Sequence, residues 1–143
     1  MNVSCMAGHM IRRLNQLATH VFAQHMQAEG LDLTPVQFAA MDAIRAHPGV
    51  DQAQIAALIA YDRATIGGVI DRLEKKGLVE RRVSARDRRA REVVLSDAGA
   101  ALFERMLPVV RALQDDILTG LTSYERLRFL ELAQKAIEGV GEA

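Results

Sequence analysis

Apolar side chains recur at Met10, Ile11, Leu14, Leu17, Ala18, Val21, Phe22 and Met26, at the three-and-four spacing of one helix face. They predict a long amphipathic helix over residues 8–29, ended at Glu29-Gly30. Thr34-Pro35-Val36-Gln37 predicts the next start, with Thr34 as cap, Pro35 in the first helical position and Gln37 completing a capping box. That helix runs through Phe38, Met41 and Ile44 to a stop at His47-Pro48-Gly49. Asp51-Gln52-Ala53-Gln54 repeats the cap signature and opens a short helix with Ile55, Leu58 and Ile59 on one side. Tyr61-Asp62 breaks it, and Asp62 is expected to cap a fourth helix from Arg63 to Lys76, closed by Gly77. Two short helices around a tight turn form a helix-turn-helix pattern.

After Gly77 the period changes from helical to alternating. Residues 78–83 and 91–95 predict two strands, with 84–90 as the tip between them. Such a hairpin behind a helix-turn-helix is a wing. Ser96 then predicts a cap for a long helix carrying Leu102, Phe103, Met106, Val109, Val110, Leu113 and Ile117, with an expected kink at Pro108. Thr122-Ser123-Tyr124-Glu125 is a capping box for a last helix with Leu127, Leu130, Ala133 and Ile137. The fold class is mainly α with a small β-wing: a winged helix-turn-helix over residues 31–95, flanked by long helices over 8–29 and 97–140, in one domain of residues 1–143.

Half of the 143 residues are hydrophobic and 25% are charged, enough to bury a core. A formal net charge of zero hides an asymmetry. Residues 62–91 hold ten Lys/Arg against five acids, and the rest of the chain holds eight against thirteen. Six of the basic residues, Arg81, Arg82, Arg86, Arg88, Arg89 and Arg91, fall within eleven positions of the hairpin, interrupted by a single acid, Asp87. So concentrated a charge needs an anionic counterpart, and the DNA backbone is the natural one. Cys5 is the only cysteine, which excludes an intrachain disulfide and points to a reducing cytoplasm. Neither a membrane span nor a secretory segment is legible.

On the fourth helix Ile66, Val69, Ile70 and Leu73 cluster within about 100°, a core-facing stripe. The opposite face carries Ala64, Gly68, Asp71 and Lys75, flanked by Thr65, Gly67 and Arg72. Two adjacent helical glycines cost roughly 1 kcal/mol each relative to alanine. Two readings of Gly67-Gly68 stay open at this point: close approach of the helix backbone to a DNA groove, or close packing against another helix of the protein. Next to an arginine-rich wing the first is preferred. The expected DNA contacts are then Arg63, Thr65, Arg72 and Lys75, with phosphates or base edges, around the bare surface of Ala64, Gly67 and Gly68. Asp71 is expected either to accept from a cytosine amino group or to pair with Lys75. In the wing, Arg86, Arg88 and Arg89 suit a narrow minor groove, with Asp87 orienting a neighbouring arginine.

Asp62-Arg63-Ala64-Thr65, the run from Arg72 to Arg81, Asp87-Arg88-Arg89 and Val93-Val94-Leu95-Ser96-Asp97-Ala98-Gly99 together resemble the signature of MarR-type winged-helix regulators. The likeness extends to Leu33-Thr34-Pro35-Val36-Gln37-Phe38 and covers nearly the whole chain; Ser96 stands where threonine is commoner. The resemblance implies a homodimer whose helices over 8–29 and 97–140 interlock, with two recognition helices in successive major grooves of a pseudo-palindromic duplex. It further implies a repressor that a small, often aromatic, acid releases. The stretch from Gly8 to Gln16 resembles a sub-branch that controls degradation of aromatic or heteroaromatic acids, with hydroxycinnamoyl thioesters and hydroxynicotinate-like compounds as ligands.

His9, Arg13, Gln16 and His20 fall within about 60° on the first helix, beside its apolar stripe. This cationic, hydrogen-bonding row near Leu17, Val21, Phe38 and Met41 suits an aromatic carboxylate. An alternative is that the row merely solvates the helix or makes dimer contacts. The rival sensing chemistry is oxidation of Cys5, although no Tyr, Lys or Arg stands close by in sequence to activate it. His9, His20 and His25 share a helix without an i, i+4 pair, so no metal site is expected. No phosphate loop, nucleophile elbow or paired-carboxylate motif is present, so neither an enzyme nor a cofactor is expected.

Overall fold

The computed structural model describes residues 2–85, 87 and 91–140. A short turn at Val3–Cys5 precedes six helices and two strands: α1 (Ala7–Ala28), α2 (Pro35–Ala46), α3 (Gln52–Leu58), α4 (Ile66–Lys75), β1 (Val79–Val83), β2 (Arg91–Leu95), α5 (Asp97–Ile117) and α6 (Ser123–Val140). The reciprocal capping boxes form at Thr34/Gln37, Asp51/Gln54 and Thr122/Glu125, with side-chain to backbone distances of 2.8–3.3 Å. Each satisfies two orphan amides at a helix start, which is why a four-residue pattern suffices to set it. Helix α5 continues through Pro108 as one element.

The fourth helix begins later than its sequence suggests. Asp62 accepts from the amide of Ala64 (3.1 Å), two residues on, and its carbonyl accepts from Thr65 and Ile66. The carboxylate thus caps from Asp62 as expected, but Arg63, Ala64 and Thr65 form a turn, and regular helix begins only at Ile66.

Three helices end alike. Leu31 donates to Met26, Tyr61 to Ala56 and Leu78 to Leu73, each a six-to-one closure of 2.8–3.0 Å around a left-handed residue. That residue is Gly30 (φ 71°) after α1 and Gly77 (φ 76°) after α4, but Ala60 (φ 54°) after α3. The alanine carries a steric penalty that the glycines do not. Ala60→Gly is expected to raise stability by roughly 0.5–1 kcal/mol, after the added flexibility of the unfolded chain is discounted, and chemical denaturation measures it.

The core joins α1 to α5 and the winged unit. Phe103 and Phe38 stack with centroids 4.9 Å apart, and Phe22 tilts against Phe38 at 6.4 Å. Met26, Met41, Ile55, Ile66, Ile70, Leu73, Met106 and Leu113 fill the space around them. In the antiparallel wing Val79 pairs with Leu95 and Val83 with Arg91, and Val93 also donates to the carbonyl of Val50 (2.9 Å), tying the hairpin to the residue ahead of α3. His25 of α1 bonds Asp116 of α5 at 2.8 Å. By contrast α6 buries no residue, and its Tyr124, Leu127, Leu130, Ile137 and Val140 stand exposed, as do Met10, Ile11 and Leu17 on α1.

Candidate nucleic-acid interface and effector cavity

Helix α4 buries Ile66, Val69, Ile70 and Leu73 and turns its other side outward. Arg72, Lys75 and Asp71 are exposed there, Gly67 and Gly68 are half-buried, and Arg63, Ala64 and Thr65 lie exposed in the preceding turn. The two glycines differ. A Cβ on Gly67 would stand 3.1 Å from the Gln52 carboxamide of α3, so this position packs inside the protein. A Cβ on Gly68 would meet only the Arg72 guanidinium, at 3.4 Å, so its bareness faces outward. Close packing inside the protein accounts for Gly67, and the groove reading is left to Gly68 alone.

Arg63, Arg72 and Lys75, with Arg82 and Arg91 of the wing, make no ion pair among the described residues. All five are exposed, three on α4 or the turn before it and two on the wing. Arg82 stands across the hairpin from Glu92, which partly offsets it. Asp87 is exposed; Arg86, Arg88 and Arg89, expected at the wing tip, lie outside the described residues.

Two basic residues serve the fold instead. Alternation along β1 turns Val79 and Arg81 to the inner side, and the Arg81 guanidinium pairs with Asp71 (2.7 Å) and Glu74 (3.1 Å) and donates to Gln52 (3.0 Å). Asp71 is therefore paired with Arg81 and not with Lys75, because β1 brings the Arg81 guanidinium within 2.7 Å of it. Lys76 donates to the buried Gln37 (2.9 Å) and to the carbonyl of Asp32, joining the end of α4 to the start of α2. In the sequence Arg81 is indistinguishable by charge from the other wing arginines, and Lys76 from any basic residue at a helix end. Only the alternation of inward and outward positions in β1 hinted at the difference.

A cavity of about 470 Å³ opens between α1, α2 and α5. Phe22, Phe38, Leu107, Val110 and Ile117 form apolar walls, and Asn15, Arg45 and Arg111 supply polar atoms. The volume suits a small aromatic molecule. The Arg45 guanidinium lies 4.6 Å over the Phe103 ring and 3.3 Å from Asp42, so it is already engaged. Arg111 has no ion-pair partner among the described residues. Of the residues expected to bind ligand, Phe38 lines this cavity and Met41 lies fully buried in the core. His9, Arg13, Gln16 and His20 stay together on α1, the first half-buried and the others exposed. They sit roughly 140° around the helix from Asn15, Ala18, Thr19 and Phe22, which face the cavity. A larger cleft of about 760 Å³ at the base of the wing is lined by His47, Gln54, Ser84 and Glu92; its carboxylate disfavours an anion.

Cys5 is exposed, with the Ser4 hydroxyl 4.0 Å away. Among the described residues no group of three His, Cys, Asp or Glu side chains gathers to hold a metal. No helix there is long and apolar enough to cross a membrane.

Residues 31–90 match the MarR family. The transcriptional repressor NicR of Pseudomonas putida is 35% identical over 96% of this chain and 85% of its own length. The structure of Bordetella bronchiseptica BpsR, described in terms of regulation of its DNA binding by 6-hydroxynicotinic acid, superimposes with a TM-score of 0.87. It is 30% identical over 96% of this chain and 97% of BpsR. Streptomyces coelicolor PcaV, solved with its natural ligand, has a TM-score of 0.85 and 25% identity over 98% and 97% of the two chains. A winged helix with a basic reading head and these relatives places the chain among transcriptional regulators, not enzymes: it belongs to the MarR family.

Proposed function

We propose that this regulator is a homodimeric repressor that grips a pseudo-palindromic DNA duplex and is released by a small aromatic or heteroaromatic carboxylic acid. The observation that carries the DNA reading is the outward Gly68 of α4 on a helix that also exposes Arg72 and Lys75, with Arg63 exposed in the turn before it and none of the three in an ion pair among the described residues. A helix backbone presses into a major groove while cations at its edge and on the wing meet phosphates. Arg86, Arg88 and Arg89, with Asp87, extend that basic edge in the sequence. The unburied α6 and the exposed apolar positions of α1 support pairing of two chains.

The effector enters the cavity between α1, α2 and α5, its ring against Phe22 and Phe38 and its carboxylate toward Arg111. Pro35 lines the cavity and begins α2, whose Gln37 holds Lys76 at the end of α4. A ligand that moves the start of α2 therefore pulls on the recognition helix. A coupling of a few kcal/mol suffices for release. The oxidant-sensing alternative has a single exposed thiol and no activating cation bonded to it among the described residues, so the acid is preferred.

Selection from a random duplex library, followed by binding across a salt series, tests the first half. A sequence is expected to enrich, with log affinity falling by about 0.9 per log salt for each phosphate contact. Failure of any duplex to enrich at low ionic strength sinks it. A thermal-shift panel of aromatic acids, with 6-hydroxynicotinic acid among them, then finds the compound that stabilises the protein, and hydrogen peroxide is the control. If no acid frees the DNA and peroxide frees it from wild type but not from Cys5→Ser, Cys5 is the sensor.

Gly68→Ala separates the roles of the two glycines. It is expected to leave the fold as stable or up to about 1 kcal/mol more so. DNA affinity is expected to fall tenfold or more as the methyl holds the helix off the groove, and paired melting and anisotropy measurements check both. Equal affinity for variant and wild type would remove Gly68 from the interface.

A further inference from the structure

We infer that Arg81 is a positioning residue for DNA recognition: it locks the wing to the recognition helix and shields the carboxylates which that helix carries toward DNA. The inference rests on the DNA-binding reading above. Its side chain is only 20% exposed, although it belongs to the most basic run of the sequence. One guanidinium meets Asp71 at 2.7 Å and Glu74 at 3.1 Å on α4, and Gln52 at 3.0 Å on α3, from its own place on β1. Three elements of the reading head thus converge on one planar fork, whose geometry a lysine cannot reproduce.

Two consequences follow from that convergence. Asp71 is 68% exposed on the face that carries Gly68 and Lys75. Without Arg81 its carboxylate would stand open toward phosphates, and like charges at contact range repel strongly where water is excluded. The contact to Gln52 also holds the carboxamide that would lie 3.1 Å from a Cβ on Gly67, so the same fork fixes how closely α3 and α4 approach. Arg81 acts through Asp71, Glu74 and Gln52, not by touching DNA.

A double-mutant cycle with Arg81→Ala and Asp71→Asn, together with Arg81→Lys, tests this on the duplex enriched by the wild-type protein. Binding is read by anisotropy over a salt series, and folding by thermal melting. Arg81→Ala is expected to weaken binding about tenfold or more while changing the salt slope by less than the 0.9 expected of one phosphate contact. Adding Asp71→Asn to Arg81→Ala is expected to recover at least fivefold, since the exposed charge is gone. Arg81→Lys should fall between wild type and Arg81→Ala. If Arg81→Ala does not melt cooperatively, Arg81→Met, which keeps the apolar stem, carries the same expectations. A slope lowered by about 0.9 would make Arg81 a phosphate contact and overturn the inference. So would unchanged affinity, or an Asp71→Asn effect that is the same with and without Arg81. Should wild-type protein enrich no duplex, the DNA reading itself fails, an outcome distinct from these.

Discussion

Gly99→Ala is expected to destabilise the protein by about 3 kcal/mol or more, the upper end of what forcing an extra carbon into a packed site costs. A Cβ there would lie 2.0 Å from the carbonyl oxygen of Leu78 and 2.9 Å from its carbon. Both are backbone atoms, so no rotamer change relieves the clash. The surrounding contacts leave little slack. Ser96 donates to Gly77 at 2.6 Å and accepts from Gly99 at 3.0 Å, while its amide donates to that same Leu78 oxygen at 3.0 Å. The first turn of α5 is thereby seated on the junction of α4 and β1. Moving it away breaks the cap and shifts α5 against the reading head. A melting temperature lower by about 10 °C is expected for a chain of this size. Gly120→Ala, where nothing lies within 4 Å, serves as the control and should leave melting nearly unchanged. Equal melting of the two variants would show that α5 has room to move off the Leu78 carbonyl.

The largest effect on regulation is expected from Arg111→Ala. In the cavity between α1, α2 and α5, Arg45 is held by Phe103 and Asp42, whereas Arg111 makes no ion pair among the described residues. A charge-assisted hydrogen bond to a ligand carboxylate contributes about 1.5–3 kcal/mol. Its loss corresponds to a Kd raised by roughly 10- to 150-fold. DNA affinity without effector should be retained, since Arg111 lies on α5, far in sequence from the reading head. Titration with the acid that most stabilises wild type, followed by release of bound duplex, measures both. Arg111→Lys should lose less, keeping the charge without the fork. Arg13→Ala is the decisive comparison. A response lost in that variant and kept in Arg111→Ala would move the effector site to the row of His9, Arg13, Gln16 and His20.

Local chemistry made most of the architecture legible. Capping boxes at Thr34, Asp51 and Thr122 act over three residues, so each could be read without knowing what packs where. The winged unit followed from the change of period at Gly77. The start of regular helix was ambiguous in the sequence: Asp62 caps onto Ala64 as expected, but α4 starts at Ile66 instead of Arg63. Long-range partnerships were not readable at all. Arg81 finds Gln52 across 29 positions, and Lys76 finds Gln37 across 39, distances over which charge patterning along the chain carries no signal. The cavity illustrates the same limit. Its walls come from three helices, and of the residues proposed from one helix face and its neighbours only Phe38 lines it.

Helix α6 spans 18 residues without burying one. A helix of that length is marginal in water by itself, and most helical order comes from what an apolar flank is pressed against. With a second copy as that cover, folding and pairing become one equilibrium. The melting temperature then climbs with protein concentration, and dilution alone loosens the chain's C-terminal end. For a scarce regulator, the number of molecules per cell would then set not only how often an operator is occupied but how much of the population is intact.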